Sequence, residues 1–415
     1  MTGPGGMTAP TDTVPGRTGA DDDAWLRDRL ERALAAVDAP DVVLAVSRGG
    51  RRTTVSGGTG VRGLGATKNP GHPTGRADQA HPVPREALRY ELGSLSKTFT
   101  VLLLAELARA GFLGLDDPLA AHLPGVPLPY PYARRMTLRQ LATHTSGLPR
   151  VPRDLLAGAL LRPYGNGYAG YGTDRLLRAL ARTRTRHAPG THWHYSNFGL
   201  ALLGPAMEHA TGTDYGALLA ERVLRPLGLT AGTAAAGTST GATGNTPEGT
   251  DATGYRGDGR TPLPSTDMAG FAPAGAVRAT PADLLTYAEA LLSVASAGPN
   301  EPSNTVSPTA SPLTAALHDV QVPQLRRGFG HRHTHTLTWY QHPAPGGPLL
   351  FHAGATFGHQ SFLGFQPSSG TAVAAVATRH DRACRLVTSG YNLLHDLCGP
   401  GTSAPRNAPG SATPS

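Results

Sequence analysis

Ser94-Leu95-Ser96-Lys97 opens the most apolar helical run in the chain. A spacing of i to i+3 puts Ser94 and Lys97 on one face of a first helical turn. The start of such a helix offers unpaired N–H groups and a positive potential. An amine held there, partly desolvated, has its pKa lowered toward that of a usable base, and a serine gains an N–H donor for a developing oxyanion. These are the requirements of an acyl-transfer nucleophile. The plainer alternative is that Ser94 caps the helix while Lys97 is a solvated first-turn residue. Composition weighs against it: the chain has 35 arginines and two lysines, Lys68 and Lys97. Cationic surface is written as Arg here, and one of the two lysines falls where an Arg could not give up its proton.

Two further clusters carry chemistry. Tyr195-Ser196-Asn197 follows Pro189-Gly190 and precedes an apolar helical run. On an extended segment Tyr195 and Asn197 point the same way, so a phenol near a lysine could exchange protons with it, and an amide could hold that lysine or a substrate carbonyl. The alternative is that Asn197 is a helix N-cap with Tyr195 packed beside it. His352-Ala353-Gly354 ends a strand pattern. Gly354 would let backbone approach a ligand, and the N–H after it would be a second oxyanion donor; an ordinary turn is the alternative. His331, His333 and His335 alternate and would share one strand face as a metal site, but no acidic or Cys partner flanks them, so a surface strand face is preferred. Asp116-Asp117 before Pro118 reads as a helix start, and His144 as a residue that fixes loop backbone.

The elements that must position these residues follow from periodicity. Trp25–Val37 has helical spacing, and Val42–Ser47 with Thr53–Val55 reads as a hairpin around Arg48-Gly49-Gly50-Arg51. Ser96–Ala110 is a helix buried on most sides, stopped by Gly111. Shorter helices are predicted at Leu138–Leu141, Thr173–Ala181, Phe198–Ala210 and Tyr215–Leu224. Ala231–Gly254 and Ala295–Ser311 are small-residue loops flanking the helix Pro281–Ser293. Strand patterns follow at Thr334–Tyr340, Pro348–His352, Gln360–Gln366 and Ala372–Ala377, then a last helix, Arg385–Leu397. That order predicts an α/β (α+β) architecture. A discontinuous sheet domain covers 24–115 and 265–398, a mainly helical domain with a flexible 231–254 loop is inserted over 116–264, and the tails 1–23 and 399–415 are disordered.

The stretch Glu91-Leu92-Gly93-Ser94-Leu95-Ser96-Lys97-Thr98-Phe99-Thr100 resembles the nucleophile motif of the penicillin-recognising serine hydrolases, which include class C β-lactamases, D-alanyl peptidases and related esterases. Leu113–Leu119, His144-Thr145-Ser146-Gly147-Leu148-Pro149, Tyr195-Ser196-Asn197-Phe198-Gly199, Ala274-Gly275-Ala276-Val277 and His352-Ala353-Gly354 resemble further stretches of that family, in the same order, across roughly residues 25–397. The resemblance implies a β-lactamase–transpeptidase-like fold, an antiparallel sheet flanked by helices, with Ser94 in the cleft between the domains. It implies that Ser94 is acylated, that Lys97 and Tyr195 share the proton transfers, and that Asn197 orients the lysine and the substrate. It also implies an oxyanion hole from the N–H groups of Ser94 and Ala355. His352 stands where many members carry the lysine of a Lys-Thr-Gly motif, and Ala353 removes the middle hydroxyl. A permanent cation is thereby replaced by a group mostly neutral at pH 7, which favours an esterase over a β-lactamase.

The expected function is therefore a serine hydrolase that forms an acyl-enzyme on a small ester, amide or lactam, with no cofactor and no metal. A β-lactamase or D-amino-acid peptidase is the second choice. A catalytically silent binding protein and a metallohydrolase built on His331–His335 are rivals of other classes. Charge adds little: Lys+Arg 37 against Asp+Glu 29 gives +8, spread out rather than clustered, and the densest basic stretch, Arg182, Arg184, Arg186 and His187, is short and has no aromatic interleaving, which disfavours a nucleic-acid site. No run approaches the roughly 20 apolar residues of a membrane span, and the start of the chain has no apolar segment of a secretory signal, so a cytoplasmic protein is expected. Cys384 and Cys398 are too few for a disulfide framework and are expected as unrelated thiols.

Overall fold

The computed structural model describes residues 19–59, 83–156, 166–185, 187–229, 232–234, 250–295, 311–328 and 333–399. Lys68, His331, most of the two predicted small-residue loops and the tails up to residue 18 and from residue 400 lie outside the described residues. Helix α1 (Gly19–Ala35) starts inside the predicted tail rather than at Trp25. Carboxylates suit a first helical turn, and Asp23 also pairs with Arg51 at 2.5 Å.

Eight strands form one antiparallel sheet: β1 (Val42–Arg48), β2 (Arg51–Gly57), β3 (Leu325–Arg327), β4 (His333–His335), β5 (Tyr340–His342), β6 (Leu349–Ala355), β7 (Gln360–Gln366) and β8 (Thr371–Ala377). Their order is β2-β1-β8-β7-β6-β5-β4-β3. Alternation along each central strand divides its side chains between two covered faces. Val42, Leu44 and Val46 join Phe362, Val373 and Ala375 against Leu26 and Leu30 of α1. Leu393 and Leu394 of the last helix cover the same face. Val43 and Ala45 join Leu363, Phe365, Ala374 and Val376 on the opposite face, with Phe99, Leu284 and Leu291. Burial on both faces explains why β7 and β8 are buried at all seven positions and read as near-continuous small or apolar runs.

The second face is covered by two helices, α2 (Ser96–Arg109) and α3 (Pro281–Ala295). Every residue of α2 from Ser96 to Leu107 is buried, as its composition predicts. The helical block beyond it contains Leu138–Ala142, closed at its start by a Thr137/Gln140 capping box, and α4 (Thr173–Arg182). The predicted Phe198–Ala210 helix is two pieces, Asn197–Ala201 and Leu203–Thr211, and the Tyr215 helix changes to a π-helical turn over Ala220–Leu224.

Thr334–Tyr340 is not the single strand its pattern suggests. The backbone N–H of Thr336 donates to Trp339 O and that of Trp339 to Thr336 Oγ1, both at 3.0 Å, closing a turn between β4 and β5. The turn sends the fully buried Trp339 into the core beside Phe365 and Tyr287, so burial of one large side chain outweighs strand continuity. Cys384 and Cys398 are free, buried thiols, and burial pushes Cys384 up to about 11. Among the described residues no helix is long and apolar enough to cross a membrane.

Candidate active site

Ser94 sits in a short 3-10 turn, Gly93–Leu95, immediately before α2, rather than in the first turn of the α-helix itself. With three residues per turn, such a segment still aligns positions i and i+3. Two glycines let this turn lie directly on the sheet. Gly93 has φ +51°, and a Cβ there would be 2.3 Å from Ala355 O. A Cβ on Gly354 would be 2.0 Å from Leu92 O and 2.6 Å from Leu95 N. The sequence reading gave Gly354 the task of letting a ligand approach; the space its missing side chain leaves is filled instead by the nucleophile turn. Ser361 Oγ on β7 also donates to Leu92 O at 2.7 Å.

Lys97 is fully buried. Its Nζ donates to Ser94 Oγ at 3.0 Å and to Ala274 O at 2.7 Å. Burial holds its pKa well below that of an ordinary lysine, and the Arg150 charge pushes in the same direction. The expected hydrogen bond from Asn197 to the lysine is therefore replaced by a backbone carbonyl that follows the core residues Ala272–Ala274. Asn197 Nδ2 donates instead to Tyr168 Oη at 3.0 Å, while its buried Oδ1 has no partner.

Tyr195 Oη donates to Ser94 Oγ at 2.7 Å. Burial pushes the phenol up to about 12, although the bond to Ser94 and the charge of Arg150 oppose the shift. The ring is held by neighbours: His144 lies 4.6 Å away between centroids, and His144 Nδ1 accepts from the backbone N–H of Ser196 at 3.2 Å. His144 has φ +59° and is held neutral by burial, so it acts on backbone geometry, as its motif position suggests. Ser196, not Asn197, is the N-cap, accepting from the Gly199 N–H at 2.9 Å.

His352 is 1% exposed on β6. Its Nδ1 lies 2.9 Å from Ala353 O, an atom that can only accept, so Nδ1 carries the proton and Nε2 presents a free lone pair. Burial first, then the Lys97 charge, brings its pKa down to about 3. Position 352 thus supplies a neutral imidazole to the cleft. Ala355 pairs with Gln360 across β6 and β7, and its carbonyl abuts Gly93. Ser94, Tyr195, His352, Gly354 and Ala355 line one cleft of about 480 Å³ with Arg150, Trp193 and Tyr340.

Arg150 was not singled out by sequence reasoning. It is exposed, its guanidinium carbon lies 5.3 Å from the Tyr195 ring centroid, and it has no carboxylate partner among the described residues. Its only sequence signal is its place directly after His144–Pro149. Behind the nucleophile turn, Glu91 is 7% exposed and accepts from the Thr266 N–H at 2.7 Å. It also faces His359 Nδ1 and Arg278, each at 3.4 Å. Burial alone would raise its pKa, but the neighbouring His359 and the Thr266 N–H outweigh burial and hold the carboxyl well below the usual range. Of the alternating histidines, His335 packs 5.1 Å from Trp193 and His333 lies 5.5 Å from His342, while His331 is outside the described residues. Asp116 and Asp117 are engaged structurally, with Arg139 at 2.8 Å and with His122 at 2.9 Å.

The chain resembles the D-alanyl-D-alanine-carboxypeptidase/endopeptidase AmpH of Escherichia coli (strain K12), at 34% identity over 139 residues, covering 33% of this chain and 34% of that protein. It resembles Protein flp of Staphylococcus aureus (strain N315) at 30% identity over 178 residues, 43% of this chain and 33% of the relative. The match thus spans about a third of the length of these relatives. In fold, a class C beta lactamase from Rhodobacter sphaeroides superposes with a TM-score of 0.67 at 24% identity, covering 90% of this chain and 99% of that one. The D-alanine carboxypeptidase AmpC from Burkholderia cenocepacia does so with a TM-score of 0.66 at 24% identity and the same coverage. The model of the Beta-lactamase family matches residues 26–395, so the chain belongs to the Beta-lactamase family and has its antiparallel sheet flanked by helices.

Proposed function

We propose that this chain is a serine hydrolase that works through an acyl-enzyme on Ser94, with simple esters as its preferred substrates. The observation that carries the reading is the double engagement of Ser94 Oγ, by Lys97 Nζ at 3.0 Å and Tyr195 Oη at 2.7 Å. Nothing in a merely structural serine calls for a fully buried lysine with a depressed pKa beside it.

The chemistry follows from the protonation states. Lys97 is neutral at rest, gives one N–H to Ala274 O, and takes the Ser94 proton as Oγ attacks the substrate carbonyl carbon. Tyr195, a protonated phenol, steadies Oγ and relays a proton to the departing alcohol oxygen, and Lys97 returns its proton through the phenol. The oxyanion of the tetrahedral intermediate lies at the N–H groups of Ser94 and Ala355, at the junction where the nucleophile turn meets β6. Water then attacks the ester of Ser94 with Lys97 again accepting the proton, and Lys97 returns that proton to the departing Ser94 Oγ as the acid is released. Asn197 Oδ1 and the free Nε2 of His352 are acceptors for substrate donors. The cleft is read as lying between a sheet unit, 24–115 with 265–398, and the helical unit 116–264.

Ester preference rests on the neutral His352. A second reading, hydrolysis of a D-amino-acid peptide or a β-lactam, is favoured by Arg150, an exposed cation in the cleft that would meet the carboxylate of either substrate. The test is a panel of p-nitrophenyl esters, nitrocefin and D-alanyl peptides against wild type and Ser94→Ala, with fluorophosphonate labelling read by mass spectrometry. Ester turnover and a label on Ser94, both lost in Ser94→Ala, are expected. Turnover that survives Ser94→Ala overturns the mechanism, and nitrocefin or peptide hydrolysis above ester hydrolysis overturns the preference.

A further inference from the structure

Net charge is dispersed along the sequence, yet the fold gathers part of it around a second cavity. That cavity has a volume of about 890 Å³ and is lined by Arg153, Arg175, Arg178, Arg182 and Arg184, with Asp154 as the carboxylate in its wall. Asp154 is already engaged, with Arg175 at 3.1 Å and with Tyr171 Oη at 2.8 Å. The other four arginines have no carboxylate partner among the described residues.

The arrangement has a local cause. On α4, Arg175, Arg178 and Arg182 fall at i, i+3 and i+7 and share one face, while Leu176 and Leu180 are buried on the other. An arginine stripe of this kind would ordinarily be a solvated face. Here it faces Arg153 across one concavity, and Arg184 follows the end of the same helix. Like charges gathered around one concavity repel one another and focus a positive potential into it. The geometry relieves that repulsion when an anion enters. Guanidinium forks match carboxylate and phosphate oxygens in bidentate fashion, and four uncompensated forks call for more than one oxyanion group. The volume suits an organic ligand rather than a lone inorganic ion, and Leu148 and Pro152 supply apolar wall for its body.

We propose that this cavity is a binding site for an organic molecule carrying two or more phosphate or carboxylate groups. It meets the Ser94 cleft at one residue, Trp193, which lines both. The ligand is therefore either the anionic far end of a substrate whose carbonyl lies at Ser94 or a free anion bound beside it. The substrate source rests on the hydrolase reading above; the binding site itself does not.

The test is calorimetric titration of inorganic tripolyphosphate into wild type, Ser94→Ala, the double variant Arg178→Gln/Arg182→Gln and, on the facing wall, Arg153→Gln. Saturable binding is expected in wild type and Ser94→Ala, weakened at least about tenfold in the double variant and several-fold in Arg153→Gln, with the loss growing as salt is lowered. Absence of saturable binding in wild type, or unchanged affinity in both arginine variants, overturns the proposal. Two p-nitrophenyl esters, one with a neutral acyl chain and one with a terminal phosphate, then separate the sources. If the double variant loses kcat/KM only on the phosphorylated ester, the site holds the substrate's far end. If binding is weakened while both esters are unaffected, the site serves a free anion.

Discussion

The two cavities that meet at Trp193 handle positive charge in opposite ways. In the Ser94 cleft, burial removes it: Lys97 and His352 are both driven toward their neutral forms. In the arginine-lined cavity the charges stay at the water boundary, and the side chain of Arg178 has no acid to neutralise it among the described residues. Desolvation converts a cation into a base, which suits proton transfer. A solvated guanidinium stays charged at any working pH, which suits recognition at a distance. Arg150 lies at the boundary between these regimes, exposed but close enough to bias both Lys97 and Tyr195.

The sharpest way to break this comparison is at the nucleophile. Ser94→Ala should lower kcat by about 10⁶-fold while tripolyphosphate binding is unchanged; a parallel loss of binding would mean the cavities are not separable. Next is Lys97→Met, which keeps the stem and removes the amine. A loss of about 10³-fold in kcat is expected, with the melting temperature kept or raised, because a group whose burial is unfavourable has gone. A large fall in melting temperature would show that Lys97 is structural. Glu91→Gln leaves His359 and Arg278 without their carboxylate and should destabilise the chain by about 3 kcal/mol, read as a lower denaturation midpoint. An unchanged midpoint would show that the pairing of Glu91 with His359 and Arg278 adds no stability. Arg150→Gln should act on specificity, lowering kcat/KM about tenfold for a carboxylate-bearing ester and little for a neutral one; equal losses on both would assign Arg150 to Lys97 and Tyr195 instead of the substrate.

The smallest effect is in pH. The unfolded chain protonates His352 near 6.5, whereas the folded chain resists until about 3. Between these values the unfolded state holds more protons, so stability must fall as pH drops from neutral toward 4. His144 and His335 are depressed as well and act with the same sign. His352→Gln should flatten the slope of melting temperature against pH in this window, and an unaltered slope would mean that His352 is not held neutral. Activity should also fall as pH drops through the lowered pKa of Lys97, since only the free amine can accept the Ser94 proton.

Much of the frame is legible along the chain because it depends on neighbours in sequence. The largely apolar run Phe99–Leu107, broken by Thr100 and Glu106, reads as a buried helix, and the small apolar residues of β8 read as a strand covered on both faces. Thr336–Trp339 misled for an equally physical reason. Its alternation is that of a strand, but a core vacancy between Phe365 and Tyr287, far away in sequence, captures Trp339 and bends the chain. The same limit applies at Gly354, whose absent side chain reads as room for a ligand until Leu92, 262 residues earlier in the chain, is seen to occupy that room.

The sequence by itself determined that Ser94 and Lys97 stand together at the head of a buried helix and that position 352 lacks a permanent cation. Each depends on residue type and on spacing within one element. Tertiary structure alone decided what makes those residues a site. It placed Tyr195 Oη on Ser94 across 101 residues, gave Lys97 the carbonyl of Ala274 across 177, and brought Arg150 to the cleft mouth. It also set the arginine face of α4 opposite Arg153 across one cavity. Burial and electrostatic potential are sums over everything nearby in space, and most of what lies nearby here comes from elsewhere in the chain.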